Sequence, residues 1–162
     1  MQIRCVVVKS PTELAEAFRA QGLKVTPQRQ LLFSLLDGND RHPTAEALFD
    51  EAHAQMPGIS LRTVYTTLTD LTAMGELQAV CLGPGATRFD PNVDHHHHGL
   101  CESCGRVVDL YVDGAADLEV VGADGFTPTS TSIVFHGRCT SCTADGPPPF
   151  TSTPSNKEHP NG

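Results

Sequence analysis

The sequence predicts an α+β chain: a helical first part closed by a β-hairpin, then a smaller α/β part. Three observations predict it. Between Thr12 and Ala73, apolar residues recur at helical spacing in four stretches, each opened by Ser or Thr and closed by a glycine. Two strand-like runs then flank Gly83-Pro84-Gly85, and beyond them stand two Cys-x-x-Cys pairs, Cys101/Cys104 and Cys139/Cys142.

Thr12 is placed to cap a first helix, Glu13 to about Gln21, with Leu14, Ala17 and Phe18 on one face and Gly22 as its stop. Thr26-Pro27 opens a second, because Thr caps well and Pro suits the first helical position. Its apolar side is Leu31, Leu32, Leu35 and Leu36, and Gly38-Asn39-Asp40 ends it. Thr44 caps a third, in which Ala47, Leu48 and the turn from Phe49 to Ala52 face inward, and Pro57-Gly58 breaks it. Ser60 caps a fourth, whose buried stripe is Val64, Leu68 and Leu71 and whose stop is Gly75.

Leu77 to Leu82 and Ala86 to Phe89 form the hairpin. Small helices followed by a hairpin make a winged helix-turn-helix, with a generic helical bundle as the alternative on topology alone. From Leu100 to Cys142 the pattern is Val107 to Val112 extended, a short helix near Ala115 to Val121, and Ser132 to Phe135 extended. So small a unit needs a metal cross-link and dimerisation to hold its fold. The domains expected are residues 12–89 for the winged helix and 90–142 for the small α/β part. Residues 1–11 form an extension, and residues 143–162, rich in Pro, Ser and Thr, a disordered tail.

The chain carries a net charge of −8. Its distribution matters more than its sum, for the acid concentrates in residues 90–142, around the cysteines and the run His95 to His98. No long apolar run suggests a membrane span, and Val6 to Val8 is too short for a signal-peptide core, so a cytoplasmic location is expected. In a reducing compartment paired cysteines read as metal ligands rather than disulfides. Four thiolates from two such pairs suit one tetrahedral zinc ion in a closed, structural site. Cys5 and Cys81 are left as incidental thiols. The histidines need another role, and since side chains alternate along an extended segment, His96 and His98 share one face and His95 and His97 the other.

The ordered blocks TPQR (Thr26 to Arg29), HPTAE (His42 to Glu46), TVYTTL (Thr63 to Leu68), RFDPN (Arg88 to Asn92), HHHH (His95 to His98), CESCG (Cys101 to Gly105) and GRCTSC (Gly137 to Cys142) resemble the ferric uptake regulator family. The resemblance covers about residues 12–142. It implies a homodimeric, metal-dependent transcriptional repressor that binds operator DNA through an N-terminal winged helix and dimerises through the C-terminal part. The fourth helix becomes the recognition helix, with Arg62, Thr63, Tyr65 and Thr66 turned to DNA and Arg29 as a further phosphate contact.

By the same resemblance, a regulatory site for Fe(II) or Mn(II) joins His42, Asp90, His96, His98 and Asp109, beside structural zinc on Cys101, Cys104, Cys139 and Cys142. The two aspartates, where iron-responsive members commonly carry glutamates, resemble the peroxide-sensing branch, in which Fe(II) and peroxide oxidise a ligand histidine, here His42 or His96. Iron-responsive repression is the alternative. In one respect the chain departs from relatives that have a third metal site: Thr131 stands where they have a histidine. His95 and His97 are therefore expected to be peripheral, with His136 a partial substitute at most. A zinc enzyme is disfavoured by the absence of HExxH and of a nucleophile elbow, so no catalytic residue is expected. A metal buffer would leave the winged helix unexplained.

Overall fold

The structure is a computed structural model that describes residues 9–83, 85–114, 118, 121–122 and 124–143. Four helices lead: α1 (Pro11–Ala20), α2 (Pro27–Leu36), α3 (Ala45–Gln55) and α4 (Leu61–Ala73). Thr26, Thr44 and Ser60 cap the last three as their positions dictate. The first is capped by Ser10, not Thr12. The Ser10 side chain accepts from the Glu13 amide while the Glu13 carboxylate accepts from the Ser10 amide, a reciprocal box that lets Pro11 take the first helical position.

One apolar core ties these helices together. Phe18 and Phe33 meet edge to face with centroids 5.0 Å apart, surrounded by Leu32, Leu36, Leu48, Val64, Leu68 and Leu71. Each fully buried side chain of this kind contributes roughly 1.5–3 kcal/mol. On α3 the inward stripe is Ala45, Leu48 and Ala52, while Ala47, expected inward, is exposed. At about 100° per residue, Ala47 lies on the far side of the stripe through Ala45 and Leu48. Likewise Ala15 is buried on α1 where Ala17 is only partly so.

The hairpin is β1 (Gln78–Val80) paired antiparallel with β2 (Arg88–Asp90), shorter than the sequence runs and displaced toward Asp90. The α2–α3 loop docks on it: Thr44 bridges to Arg88, and the Phe89 amide donates to the Pro43 carbonyl at 2.9 Å. The segment that carries His42 is thereby fixed to the strand that ends in Asp90.

A second sheet has the order β4-β3-β5, with β3 (His97–Cys101) central, β4 (Val107–Leu110) antiparallel and β5 (Val134–Gly137) parallel to it. The register sets His98 opposite Asp109. Gly99 lies under β4, and a Cβ there would come within 3.0 Å of both Val108 and Leu110 side chains. No helix among the described residues is long and apolar enough to cross a membrane. The helix expected near 115–121 falls on residues mostly outside those described, as do the tail and most of the N-terminal extension.

Candidate metal centres

Two groups of donor atoms converge in this fold, and within each group the atoms lie within 4.8 Å of one another. The first is Cys101, Cys104, Cys139 and Cys142. Cys101 ends β3 and Cys104 follows in a tight turn, closed by the Gly105 amide donating to the Cys101 carbonyl at 2.8 Å with Gly105 at φ 73°. Cys139 caps and Cys142 ends a 3₁₀ turn just after β5, the parallel neighbour of β3. The Cys104 and Cys139 sulfurs are 3.7 Å apart. A zinc tetrahedron with bonds of ~2.3 Å has edges of roughly 3.8 Å, so the spacing fits the ion. The Cys139 amide donates to the Cys101 sulfur at 3.3 Å, and this contact, followed by the Cys104 amide, draws the Cys101 thiol down to about 6. Hydrogen bonds to the Cys139 and Cys104 sulfurs push Cys142 up to about 12. Four sulfurs so close cannot all ionise without a cation among them.

The second group is His42, Asp90, His96, His98 and Asp109, all buried except the partly exposed Asp109. His42 comes from the α2–α3 loop, Asp90 from the end of β2, His96 from the residue just before β3, His98 from β3 and Asp109 from β4. Asp90 Oδ2 lies 2.8 Å from His96 Nε2, 3.3 Å from His98 Nε2 and 3.4 Å from His42 Nε2. Asp109 Oδ1 is 2.7 Å from His42 Nε2 and 3.6 Å from His96 Nε2. Ligand bonds of roughly 2.1 Å at right angles make edges of about 3.0 Å, in the middle of these distances.

Three details fit a cation at this point. The backbone fixes two tautomers: Nδ1 of His42 donates to the Asp40 carbonyl at 3.1 Å and Nδ1 of His96 to the Asp94 carbonyl at 2.7 Å, which frees both Nε2 lone pairs. His42 Nε2 and Asp109 Oδ1, though close, make no hydrogen bond and are buried without a partner. Atoms so aimed share a target. Finally, His42 takes φ 50°, left-handed backbone that a side chain occupies only when its surroundings hold it there.

The electrostatics point the same way. Burial disfavours the Asp90 carboxylate, yet His42, His96 and His98 around it hold it well below the usual carboxylate range. Burial also pulls the His42 and His96 imidazoles down, but Asp90, with a smaller contribution from Asp109, outweighs this and leaves both above their ordinary value. The cluster holds protons where a divalent cation can replace them. Three imidazoles and two carboxylates, with no sulfur, fit Fe(II) or Mn(II), and the four-thiolate group fits zinc.

Supporting side chains were not singled out by the sequence pattern. Asn92, buried, donates through its backbone amide to Asp90 Oδ1 at 2.8 Å and through its side chain to Asp109 Oδ2 at 2.6 Å. Gln78 of β1 donates to the carbonyls of Asn92 and Asp94 at 2.9 and 3.3 Å. Arg88 donates to the carbonyls of His42 at 3.4 Å and Gly105 at 3.3 Å, and so touches the surroundings of both centres. Of these, Arg88 and Asn92 stand at the two ends of the block RFDPN, which marked their positions but not their contacts, and Gln78 had no signal in the sequence.

The other histidines are engaged elsewhere. His95 Nε2 donates to the Thr131 carbonyl at 3.2 Å, and His97 Nδ1 accepts from the Ile133 amide at 3.3 Å. His136 pairs in register with Leu100 and belongs to neither donor group. Among the described residues no third group of metal-binding side chains appears.

On α4, Arg62, Tyr65 and Thr66 are exposed and Thr63 partly so. The Tyr65 hydroxyl donates to the Glu46 carboxylate on α3, which pushes the phenol up and draws the carboxyl down. Arg29 is differently placed from a free phosphate contact. Its guanidinium pairs with Asp70 at 2.7 Å, donates to the Lys24 carbonyl at 3.1 Å and lies 5.0 Å over the Phe18 ring, so it fastens α2 to α4.

The model of the ferric uptake regulator family matches residues 20–136. The peroxide operon regulator of Bacillus subtilis (strain 168) is 30% identical over 132 residues, 80% of this chain and 91% of its own. Among solved structures, the ferric uptake regulator of Francisella tularensis with iron superposes with a TM-score of 0.64 at 26% identity, over 75% of this chain and 95% of its own. The ferric uptake regulator of Vibrio cholerae gives 0.63 at 27%, over 77% and 98%.

Proposed function

We propose, for a chain that belongs to the ferric uptake regulator family, the role of a metal-dependent, DNA-binding transcriptional repressor that responds to peroxide. One observation carries the reading: His42, from the helical part, and Asp90, His96, His98 and Asp109, from the hinge and second sheet, aim their donor atoms at one point. We take residues 12–89 as a winged-helix domain and 90–142 as a metal-binding dimerisation domain, with 1–11 and 143–162 as flanking segments. Zinc on Cys101, Cys104, Cys139 and Cys142 then ties the ends of β3 and β5, and Fe(II) or Mn(II) at the other five residues fixes the angle between the domains.

In a cytoplasmic homodimer that angle would set the spacing of two α4 helices, which must match half-sites about one turn of DNA apart, ~34 Å. Arg62, Thr63, Tyr65 and Thr66 would face the operator. Metal and DNA would be linked reciprocally, typically by ~1–3 kcal/mol, and the cation would offset part of the −8 charge that opposes DNA binding.

Fe(II) at the site would supply the reducing equivalent that cleaves peroxide. The chain's part is to hold the His42 and His96 rings at the ion, each with Nδ1 tied to a backbone carbonyl. Oxygen insertion into either ring would spoil its Nε2 donor, loosen the hinge and release DNA. The two aspartates and the peroxide regulators among the relatives support this over iron-responsive repression.

The test is mass spectrometry of Fe(II)-loaded protein before and after a small peroxide dose, alongside an operator mobility shift. One added oxygen on the peptide holding His42 or His96, together with lost DNA binding, is expected. Unmodified peptides with DNA release only on iron removal would instead establish iron-responsive repression. Equal DNA binding with and without metal would overturn both.

A further inference from the structure

The side chain of Asn92 does more than fill space beside the five metal-binding residues. We infer that Asn92 fixes how many oxygens the site offers a cation, by occupying one oxygen of each aspartate. The inference rests on the proposed reading of the His/Asp group as a divalent-cation site.

A carboxylate can present one oxygen or two, and a site with two aspartates can offer between five and seven donors in all when three imidazoles complete it. Here Asp90 Oδ1 accepts the Asn92 backbone amide at 2.8 Å and Asp109 Oδ2 accepts the Asn92 side-chain amide at 2.6 Å. The remaining oxygens, Asp90 Oδ2 and Asp109 Oδ1, face the imidazoles. Each aspartate is thus confined to one oxygen, and the site offers five donors.

Asn92 is itself held on every side. Its second amide hydrogen points to the Tyr111 hydroxyl at 3.1 Å, its Oδ1 accepts from the Asp94 amide at 3.2 Å and its carbonyl accepts from Gln78 at 2.9 Å. The Asp94 carbonyl in turn fixes the His96 tautomer. A buried amide with all its polar groups engaged turns little, so the direction of its N–H toward Asp109 is built in. Asn92 also lines, with Asp90, Asp109 and the segment Asp37 to Asp40, an open cavity of about 300 Å³. A site kept to five protein donors beside an open cavity retains room for a small polar molecule from solvent.

The residue acts through the aspartates and is a positioning residue. Its two contacts separate cleanly by mutation. Asn92→Ala removes only the side-chain amide and frees Asp109 Oδ2, while the backbone amide still holds Asp90 Oδ1. One donor is gained, not two. A site with more oxygens selects less well for cations that prefer imidazole and more for hard cations such as Ca(II).

The experiment loads the full-length, zinc-containing protein with Co(II), whose visible absorption is moderate when five-coordinate and weak when six-coordinate. Asn92→Ala is expected to lower the visible absorption per bound Co(II) several-fold and to narrow the preference for Mn(II) over Ca(II) in competition. Tyr111→Phe, which leaves the amide on Asp109, is expected to keep both values. Asn92→Ser, too short to reach Asp109, serves as a second variant should Asn92→Ala not fold, with the same expected losses. An unchanged spectrum in the variants would overturn the role given to Asn92. If Co(II) bound to the parent protein were insensitive to His98→Ala, the reading of the site would fall instead, and with it this inference.

Discussion

The guanidinium of Arg88 donates to the carbonyl of Gly105 at 3.3 Å. Gly105 closes the turn that holds Cys101 and Cys104, and the other guanidinium nitrogen reaches the His42 carbonyl at 3.4 Å. One side chain on β2 therefore spans the turn of the thiolate group and the loop of the His/Asp group. Arg88→Ala is expected to cost about 1–3 kcal/mol in denaturant unfolding and to weaken Mn(II) binding roughly tenfold, with zinc content unchanged. Arg88→Lys should rescue little, because a single ammonium cannot fork between two carbonyls. Mn(II) titration of the zinc-loaded variants checks this, and undiminished affinity in Arg88→Ala would count against any link between the two centres.

Arg29 and Arg62 should part company in DNA binding. Arg29 is paired with Asp70 and stacked on Phe18, so Arg29→Ala is expected to lower stability by about 1–3 kcal/mol. At a temperature where it stays folded, the salt dependence of operator binding should match the parent protein. Arg62, exposed on α4, is expected to lose about one unit of salt slope on change to Ala, with little effect on stability. Mobility shifts across a salt series, with thermal melts, distinguish the two.

The helices were legible because each carries its own start and stop: Thr26, Thr44 and Ser60 cap where their spacing says, and Gly22 and Gly75 take the left-handed backbone that only the chain's punctuation could announce. The cap at Ser10 was missed because Thr12 offered the same chemistry nearer the apolar stripe. The histidine run was legible as extended, which puts His96 and His98 on one face, but its continuation through Gly99 to Cys101 as the central strand β3 was not, because glycine carries little strand propensity and that place comes from pairing with β4 and β5. The four cysteines were legible from their spacing, and His96 with His98 from their shared face, whereas His42, Asp90 and Asp109 came only through the resemblance of the ordered blocks. The contacts of Asn92, Gln78 and Arg88 were not legible, because a supporting hydrogen bond depends on where a carbonyl or carboxylate ends up in space. Arg29 shows the same limit, as nothing in its neighbours along the chain announces Asp70.

A chelator strong enough for the His/Asp group and too weak for four thiolates should separate signalling from folding. Treatment is expected to abolish operator binding while leaving the protein dimeric and its helical signal intact, because the apolar core of α1 to α4 includes none of the five site residues. Stripping zinc as well should loosen the second sheet, since the thiolates tie the end of β3 to the segment after β5. Size-exclusion profiles and mobility shifts after each step test the order. Full DNA affinity after the first step would remove the hinge role given to the metal.

The raised His42 and His96 imidazoles predict that the stabilisation given by metal grows with pH while the metal-free protein weakens. A group whose value in the fold lies above its unfolded value of ~6.5 stabilises fully below that pH and loses the contribution as pH rises through the raised value. Asp90, held low, stays ionised throughout this window and adds no slope of its own. The metal-free protein should therefore lose melting temperature as pH rises above about 6.5 and His42 and His96 shed their protons. A divalent cation competes with those same protons, so its affinity should grow by up to ~tenfold per pH unit for each proton displaced. The gap in melting temperature between Mn(II)-loaded and metal-free protein is thus expected to widen from pH 6 to 8. Asp90→Asn, which removes the charge that raises both imidazoles, should flatten the metal-free trend. A gap that stays constant or narrows with rising pH would show that the imidazoles and the cation do not compete for the same lone pairs.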